Sequence, residues 1–178
     1  MILLTVGSCV VILLSSVWLF TVALNDAAYT KVDVAATVVA YEINELEAKA
    51  RIAARGMANN PKLVESLVTN DRNELLEATR SLQTVTQIDF CSILDGEGMT
   101  LARTHKPEAH GDNVVYLPHV KEALDGKVSS CITQGLIIRF GVYAGAPIYD
   151  SNANRIGIVS LGFRLDNPDL VENLKKRT

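Results

Sequence analysis

The sequence predicts an α+β domain built on an antiparallel sheet and preceded by a long helix. Three observations support this prediction. Residues 1–25 contain no Asp, Glu, Lys or Arg, so every charged residue of the 178-residue chain lies farther along. Apolar residues then recur at helical spacing to about residue 59, and from residue 88 short apolar runs alternate with turn residues. Helices followed by hairpin-linked strands are typical of an α+β fold.

The charge-free segment is long enough to cross a bilayer. As a helix, residues 2–24 would span about 34 Å, which exceeds the hydrocarbon core of a membrane. Trp18 and Phe20 lie near its end, where aromatic rings favour the membrane interface. A cleaved signal peptide is the alternative, but it has a basic start and a shorter apolar core. We therefore expect residues 1–25 to form an uncleaved transmembrane helix.

Residues 26–60 are predicted to form a long signalling and dimerisation helix that continues from the membrane segment. Apolar residues separated by alternating steps of four and three form a heptad seam, which is typical of a helix packed lengthwise on a second helix. A helix packed on its own domain gives the same pattern, and both arrangements can hold. The seam residues are Val32, Ala36, Val39, Ile43, Leu46, Ala50, Ala53 and Met57.

The globular domain is predicted at residues 61–166. Asn60 and Asp71 are favourable N-caps for two short helices, and Pro61 suits the first helical turn. Five strands follow, with hairpin turns after the first and the fourth. A short helix interrupts the connection between the second and third strands, and residues 167–178 are expected to begin a further helix. The predicted elements are helices at 61–68, 71–86 and 118–124, and strands at 88–94, 99–104, 127–133, 136–149 and 155–165.

Composition and motifs exclude several functions. A net charge of −3 argues against nucleic-acid binding. The chain has no Gly-rich phosphate loop, G-x-S-x-G elbow or H-E-x-x-H pair, so neither catalysis nor a cofactor is predicted. His105, His110 and His119 lie close together, but their spacing fits no standard metal motif. Cys91 and Cys131 are either buried free thiols or a disulfide.

Four segments, taken in order, resemble the Cache sensor domain of bacterial methyl-accepting chemotaxis proteins and of some sensor kinases. The resemblance implies a PAS-like five-stranded sheet on the long helix and a small-molecule ligand outside the cytoplasm. It also implies a signal passed through the inner membrane by a receptor of which this chain is the sensing end. The segments are Gly111-Asp112, VKEALDG at 120–126, APIYD at 146–150 and IGIVSLG at 156–162.

Arginine in or beside a strand suggests a ligand site, because a buried charge must be paired. Arg103 and Arg139 can each donate a fork of N–H groups to a ligand carboxylate, such as that of an amino acid. The alternatives are an outward-facing arginine or a pair with Asp112. Asp150 either caps its own turn or meets a ligand ammonium group. The predicted ligand-binding residues are Arg103, His105, Asp112, Tyr116, His119, Arg139, Tyr143 and Asp150.

Three functions remain open. The first is a chemoreceptor sensor, a homodimer through the heptad seam, in which a ligand closes residues 105–118 onto the sheet and the helix passes the displacement on. The second is the same sensor on a histidine kinase or a cyclic-dinucleotide synthase. The third is a dimerisation module without ligand, which a packed pocket would favour.

Overall fold

The computed structural model of the chain describes residues 2–167 and 172, with side chains from residue 13 onward except at 27 and 28. Helix α1 runs over Ile2–Ala58. Within the described residues, no helix has both the length and the hydropathy that a membrane span needs. The predicted membrane span at 1–25 includes residues 1–12, whose side chains lie outside the described part of the chain. Most of the helix predicted at 167–178 also lies outside the described residues.

Helices α2 (Pro61–Val68) and α3 (Arg72–Thr86) have the predicted bounds and caps. The Asn60 side chain accepts a hydrogen bond of 3.0 Å from the Lys62 N–H. The Asp71 carboxylate accepts from the Asn73 and Glu74 N–H groups at 2.8 and 3.1 Å. Each cap satisfies backbone donors that have no partner within the helix, which explains where the two helices begin.

The remaining elements form one five-stranded antiparallel sheet in the order β2-β1-β5-β4-β3. The predicted α+β class with a Cache-like sheet is therefore confirmed, and residues 42–172 form a unit that contains the whole sheet. The elements are β1 (Phe90–Asp95), β2 (Thr100–Arg103), α4 (Pro118–Leu124), β3 (Ser129–Thr133), β4 (Gly141–Tyr149) and β5 (Arg155–Arg164).

Three strands begin two or more residues later than predicted. β1 begins at Phe90 rather than at 88, β3 at Ser129 rather than at 127, and β4 at Gly141 rather than at 136. The β3–β4 ladder ends at the pair of Thr133 and Gly141. Before Gly141, residues 134–140 turn over the sheet, because the Gly135 N–H bonds to the Ile138 carbonyl at 2.9 Å instead of continuing the ladder. The placement of Arg139 inside the fourth strand is therefore wrong.

One face of the sheet packs on helices α1, α2 and α3. Met57, Leu63 and Leu75 from these helices share one buried core with Ile93 and Leu161 from the strands. The seam residues Ala50, Ala53 and Met57 belong to this core. At these positions the seam packs on its own domain, so they are not available to a second helix.

The opposite face, called the site face below, is covered by α4 and by the connecting segments. Strand register places Phe90, Gly162 and Tyr143 in one row across the sheet and Ser92, Ser160 and Gly145 in the next. A Cβ atom at Gly145 would overlap the His119 carbonyl. Because Gly145 has no Cβ atom, helix α4 can lie directly on the sheet and carry His119 with it.

Cys91 and Cys131 are free thiols on opposite faces of the sheet. Cys91 in β1 belongs to the helix-side core, whereas Cys131 in β3 packs with residues of the site face. Strands β5 and β4 lie between β1 and β3, which separates the two backbones by about 14 Å. A disulfide needs Cα atoms within about 7 Å, so these residues do not form one.

Substituting two glycines by alanine tests the close approach of α4. Gly145→Ala should lower the free energy of unfolding by about 1–3 kcal/mol, because its Cβ meets the His119 backbone. Gly56→Ala is the matched control on α1, where a Cβ meets nothing within 4 Å. It should raise that free energy by up to about 1 kcal/mol. Urea unfolding of the detergent-solubilised chain measures both, and equal effects would contradict the packing of α4.

Candidate ligand-binding site

A small cavity lies on the site face, between the strands and two segments that cover them. Its volume of about 30 Å³ is room for one or two water molecules. One covering segment contains His105, Val114 and Leu117, and the other contains residues 135–138. The strand residues that line the cavity are Phe90, Ser92, Leu94, Arg103, Tyr143 and Ser160.

Arg103 brings a positive charge to the cavity and is only 5% exposed. Its two terminal nitrogens donate to the two carboxylate oxygens of Asp112, each at 2.6 Å. They also donate to the Ala109 carbonyl at 3.0 Å and to the Thr100 hydroxyl at 3.2 Å. The hydrogen bonds and charge of Arg103 hold the pKa of Asp112 below its usual value. The pairing with Asp112 thus occupies the fork predicted to bind a ligand.

His105 lines the same cavity and packs edge-on against Phe90, with ring centroids 5.7 Å apart. Its Nδ1 is buried and has no hydrogen-bond partner within the described part of the chain. Burial, together with the nearby charges of Arg103 and Arg164, lowers the pKa of His105 to about 4. The ring is therefore neutral at pH 7 and can offer Nδ1 as either a donor or an acceptor.

His119 belongs to the first turn of α4, is buried against the sheet and contacts three side chains of the strands. Its Nε2 is 2.8 Å from the Ser160 hydroxyl, and its Nδ1 is 3.8 Å from the Cys131 sulfur. The ring stacks on Tyr143 with centroids 5.1 Å apart. Burial lowers the pKa of His119 to about 4 and raises the pKa of Tyr143 to about 12, so both groups are neutral at pH 7. His119 thus supports the cavity through Ser160 and Tyr143.

Three predicted site residues lie away from the lining. Tyr116 and Arg139 are exposed on the covering segments. Asp150 accepts hydrogen bonds of 2.8 Å from the Asn152 and Asn154 N–H groups in the β4–β5 turn. It follows Tyr143 by seven residues along the strand, a distance of about 23 Å. Asp150 therefore caps its own turn, and the structure does not bring it to the cavity.

The three histidines do not converge either. His119 belongs to α4, His105 lines the cavity and His110 is exposed. Within the described residues, no three His, Cys, Asp or Glu side chains are arranged to hold a metal ion.

Sequence reasoning missed Ser92, Ser160 and residues 135–138 as cavity-lining groups. A signal for Ser160 was present, because a serine inside an apolar strand such as IGIVSLG needs a buried hydrogen-bond partner. Its partner is His119. Residues 135–138 left no such signal, since the apolar run LIIRF also suits a strand.

A family model described as "Double sensory domain of two-component sensor kinase" matches residues 27–178. The chain belongs to this family, dCache_3. Membership confirms the predicted Cache sensor domain, a class found in membrane receptors where it lies outside the cytoplasm. The narrower prediction of a methyl-accepting chemotaxis protein stays a prediction. No curated protein sequence matches the chain.

Solved structures of sensor domains share the fold of this dCache_3 chain. The sensor domain of E. coli DcuS matches with a TM-score of 0.61 and 19% identity, over 76% of this chain and 96% of that one. The V. cholerae histidine kinase DctB sensor domain matches with a TM-score of 0.67 and 16% identity, over 85% and 59%. The ligand-binding domain of C. jejuni chemoreceptor Tlp3, in complex with 4-methylisoleucine, matches with a TM-score of 0.57 and 15% identity, over 82% and 57%. The dCache_3 chain thus spans about six tenths of the DctB and Tlp3 structures.

Removing the charge of Asp112 tests the buried pair. Asp112→Asn leaves Arg103 without a counter-charge and should lower the free energy of unfolding by about 2 kcal/mol at pH 7. Because the pKa of Asp112 is lowered in the folded protein, its contribution is present above the ordinary carboxyl pKa and is lost as the pH falls through the lowered value. Urea midpoints of the two chains should therefore converge as the pH falls below about 4. A constant difference would count against the pair.

The buried histidines give a second pH prediction. Both have a lowered pKa, so their neutral forms support the fold above pH 6.5, and this support is lost as the pH falls from 6.5 through about 4. Nitrogen-15 NMR of the imidazoles should place the midpoints of His105 and His119 near 4. A midpoint near 6.5 for either ring would show that it is not buried as described.

Proposed function

We propose that this chain is the small-molecule-sensing unit of a transmembrane receptor and that the ligand binds in the cavity on the site face. The composition of the cavity lining carries the proposal, while the small volume of about 30 Å³ is the feature that favours the alternative of a module without ligand. The cavity is concave and mostly apolar with a few polar groups, which is the usual composition of small-molecule sites. Those polar groups are Ser92, Arg103, His105, Tyr143 and Ser160.

A carboxylate is the ligand class that suits Arg103. The guanidinium is held by Asp112, so a ligand carboxylate would exchange with the Asp112 carboxylate on the same fork. This exchange keeps Arg103 paired throughout and avoids the cost of an unpaired buried charge. The side chain of Asp112 is 29% exposed, so its carboxylate can be solvated by water once it leaves Arg103.

The exchange gives a route from ligand to fold. The backbone carbonyl of Asp112 also accepts a hydrogen bond from the Thr100 N–H at 2.9 Å, which holds residues 104–113 beside the edge strand β2. Release of the Asp112 side chain would weaken the attachment of residues 104–113 to β2 on the site face. The end of α1 packs on the other face of the same sheet. A ligand that favours one arrangement of the sheet over another shifts their populations, and this shift is the signal.

Membrane anchoring and dimerisation complete the proposal. Large apolar side chains between Leu13 and Leu24 are exposed, including Trp18 and Phe20. A helix that is apolar all round suits lipid better than water. For dimerisation, the first half of the heptad seam remains available, since Val32 is exposed.

The receptor type has two candidates. We predict a chemoreceptor from the sequence, and the fold likeness to the Tlp3 domain is consistent with it. A two-component sensor kinase is favoured by the description of the dCache_3 family itself. The proposed ligand site is the same for a chemoreceptor and for a sensor kinase, because the two differ in their cytoplasmic signalling domains.

A ligand screen on the full chain in detergent tests the sensing proposal. At least one member of a panel of mono- and dicarboxylic acids and the twenty amino acids should raise Tm and bind by calorimetry. Arg103→Ala should weaken that binding about tenfold or more, because a charged hydrogen-bond donor is lost. Asp112→Asn should tighten it, because the competing carboxylate is gone.

Arg80→Ala, on the exposed surface of α3, is the matched control and should bind as the wild type does. If no compound in the panel binds, the carboxylate assignment fails. If a carboxylate binds equally well to Arg103→Ala and Arg80→Ala, the assignment of Arg103 fails.

A further inference from the structure

A buried aliphatic side chain forms part of the cavity wall. Ile138 is 5% exposed although it lies in the irregular segment 134–140. It packs in one buried cluster with Phe90 and Tyr143, and all three residues line the cavity. Four aliphatic carbons of the chain itself therefore lie beside the polar groups of the site face.

Within the described residues, three hydrogen bonds hold the backbone around Ile138. The Ile138 carbonyl accepts one from the Tyr143 hydroxyl at 3.0 Å and one from the Gly135 N–H at 2.9 Å, and the Phe140 carbonyl accepts one from the Leu165 N–H at 3.1 Å. A Cβ atom at Gly135 would overlap the Tyr143 hydroxyl. Glycine at this position is what allows the segment to lie so close to the tyrosine.

Two apolar residues of the same segment face water, since Leu136 is 64% exposed and Phe140 is 52% exposed. Of the segment's four large apolar residues, Ile138 is buried and Ile137 is half-buried. The segment therefore gains less from its present position than a fully buried segment would. Such a segment can leave the cavity at low cost once another group takes the place of Ile138.

We propose that Ile138 is an internal occupant of the ligand cavity and that the ligand binds by displacing it together with residues 134–140. This inference rests on the proposed function and deepens it. The ligand must replace what Ile138 supplies, namely a short aliphatic group and an oxygen that accepts from the Tyr143 hydroxyl. The competition weakens the observed affinity, because only the fraction of molecules with an open cavity can bind.

Shortening Ile138 tests the proposal with a probe chosen by volume. Ile138→Ala removes three carbons, and butanoate carries a three-carbon chain next to its carboxylate. Calorimetry on the full chain should give a Kd for butanoate about tenfold or more lower in Ile138→Ala than in the wild type. Acetate, which lacks that chain, should show no such gain. Ile52→Ala is the matched control, because Ile52 is 73% exposed on α1.

A second variant keeps the test valid if Ile138→Ala folds poorly. Tyr143→Phe removes the hydroxyl bond to Ile138 and keeps the ring. Hydrogen exchange should become faster in peptides covering 134–140 and stay unchanged in peptides covering 142–148. Unchanged exchange in 134–140 would show that Tyr143 does not hold the segment in place.

The outcomes separate this inference from the proposed function. If a carboxylate of the panel binds the wild type but Ile138→Ala gains no affinity for butanoate, Ile138 is not an occupant, and the sensing proposal survives. If nothing in the panel binds the wild type but butanoate binds Ile138→Ala, the site is filled by its own side chain and the sensing proposal fails. Equal binding of butanoate by Ile138→Ala and Ile52→Ala would overturn the inference.

Discussion

The buried guanidinium of Arg103 needs a counter-charge inside the fold, and the architecture of the site depends on how that need is met. An unpaired buried charge costs several kcal/mol, so the chain must return to Arg103 with a carboxylate. Residues 104–112 make this return and place Asp112 on both nitrogens of the fork. Backbone bonds between Gly111 and Thr100 and between Val114 and Gly98 then fix the segment beside β2. Val114 and Leu117 follow at once and form one wall of the cavity.

The two faces of the sheet differ in composition. On the helix side, the strands share one apolar core with the end of α1, so a displacement of the strands would also move the packing surface of that helix. The site face instead holds serines, glycines and neutral histidines, which leave room near the strands and supply polar groups. Two groups of the chain itself lie in this space. Asp112 pairs with the Arg103 guanidinium, and Ile138 packs against Phe90 and Tyr143. A ligand that supplies both a carboxylate and a short aliphatic group satisfies the same two requirements.

Much of the fold could be predicted from the sequence because its signals are local. The caps at Asn60 and Asp71 and the short helix α4 follow from residues within one turn, and the structure has them as predicted. The start of β4 and the setting of Arg139 could not be predicted, because they depend on hydrogen bonds to the Ile138 carbonyl that the strand-like apolar run LIIRF does not reveal. Arg103, His105 and Tyr143 were found through their chemistry. Ile138 was missed because only the covering segment brings it to the cavity. Ser160 was missed although its place in an apolar strand was a signal, since that signal does not say which side chain is its partner.

The most direct test is the structure of the full chain bound to a carboxylate that raises its Tm. We predict that the ligand carboxylate lies within hydrogen-bond distance of the Arg103 guanidinium. We also predict that Asp112 has left the fork and that Ile138 no longer lies against Phe90 and Tyr143. A carboxylate bound elsewhere, such as the groove lined by Lys62 and Glu77 between α2 and α3, would contradict this. An unchanged Arg103–Asp112 pair with Ile138 still in the cavity would contradict it equally.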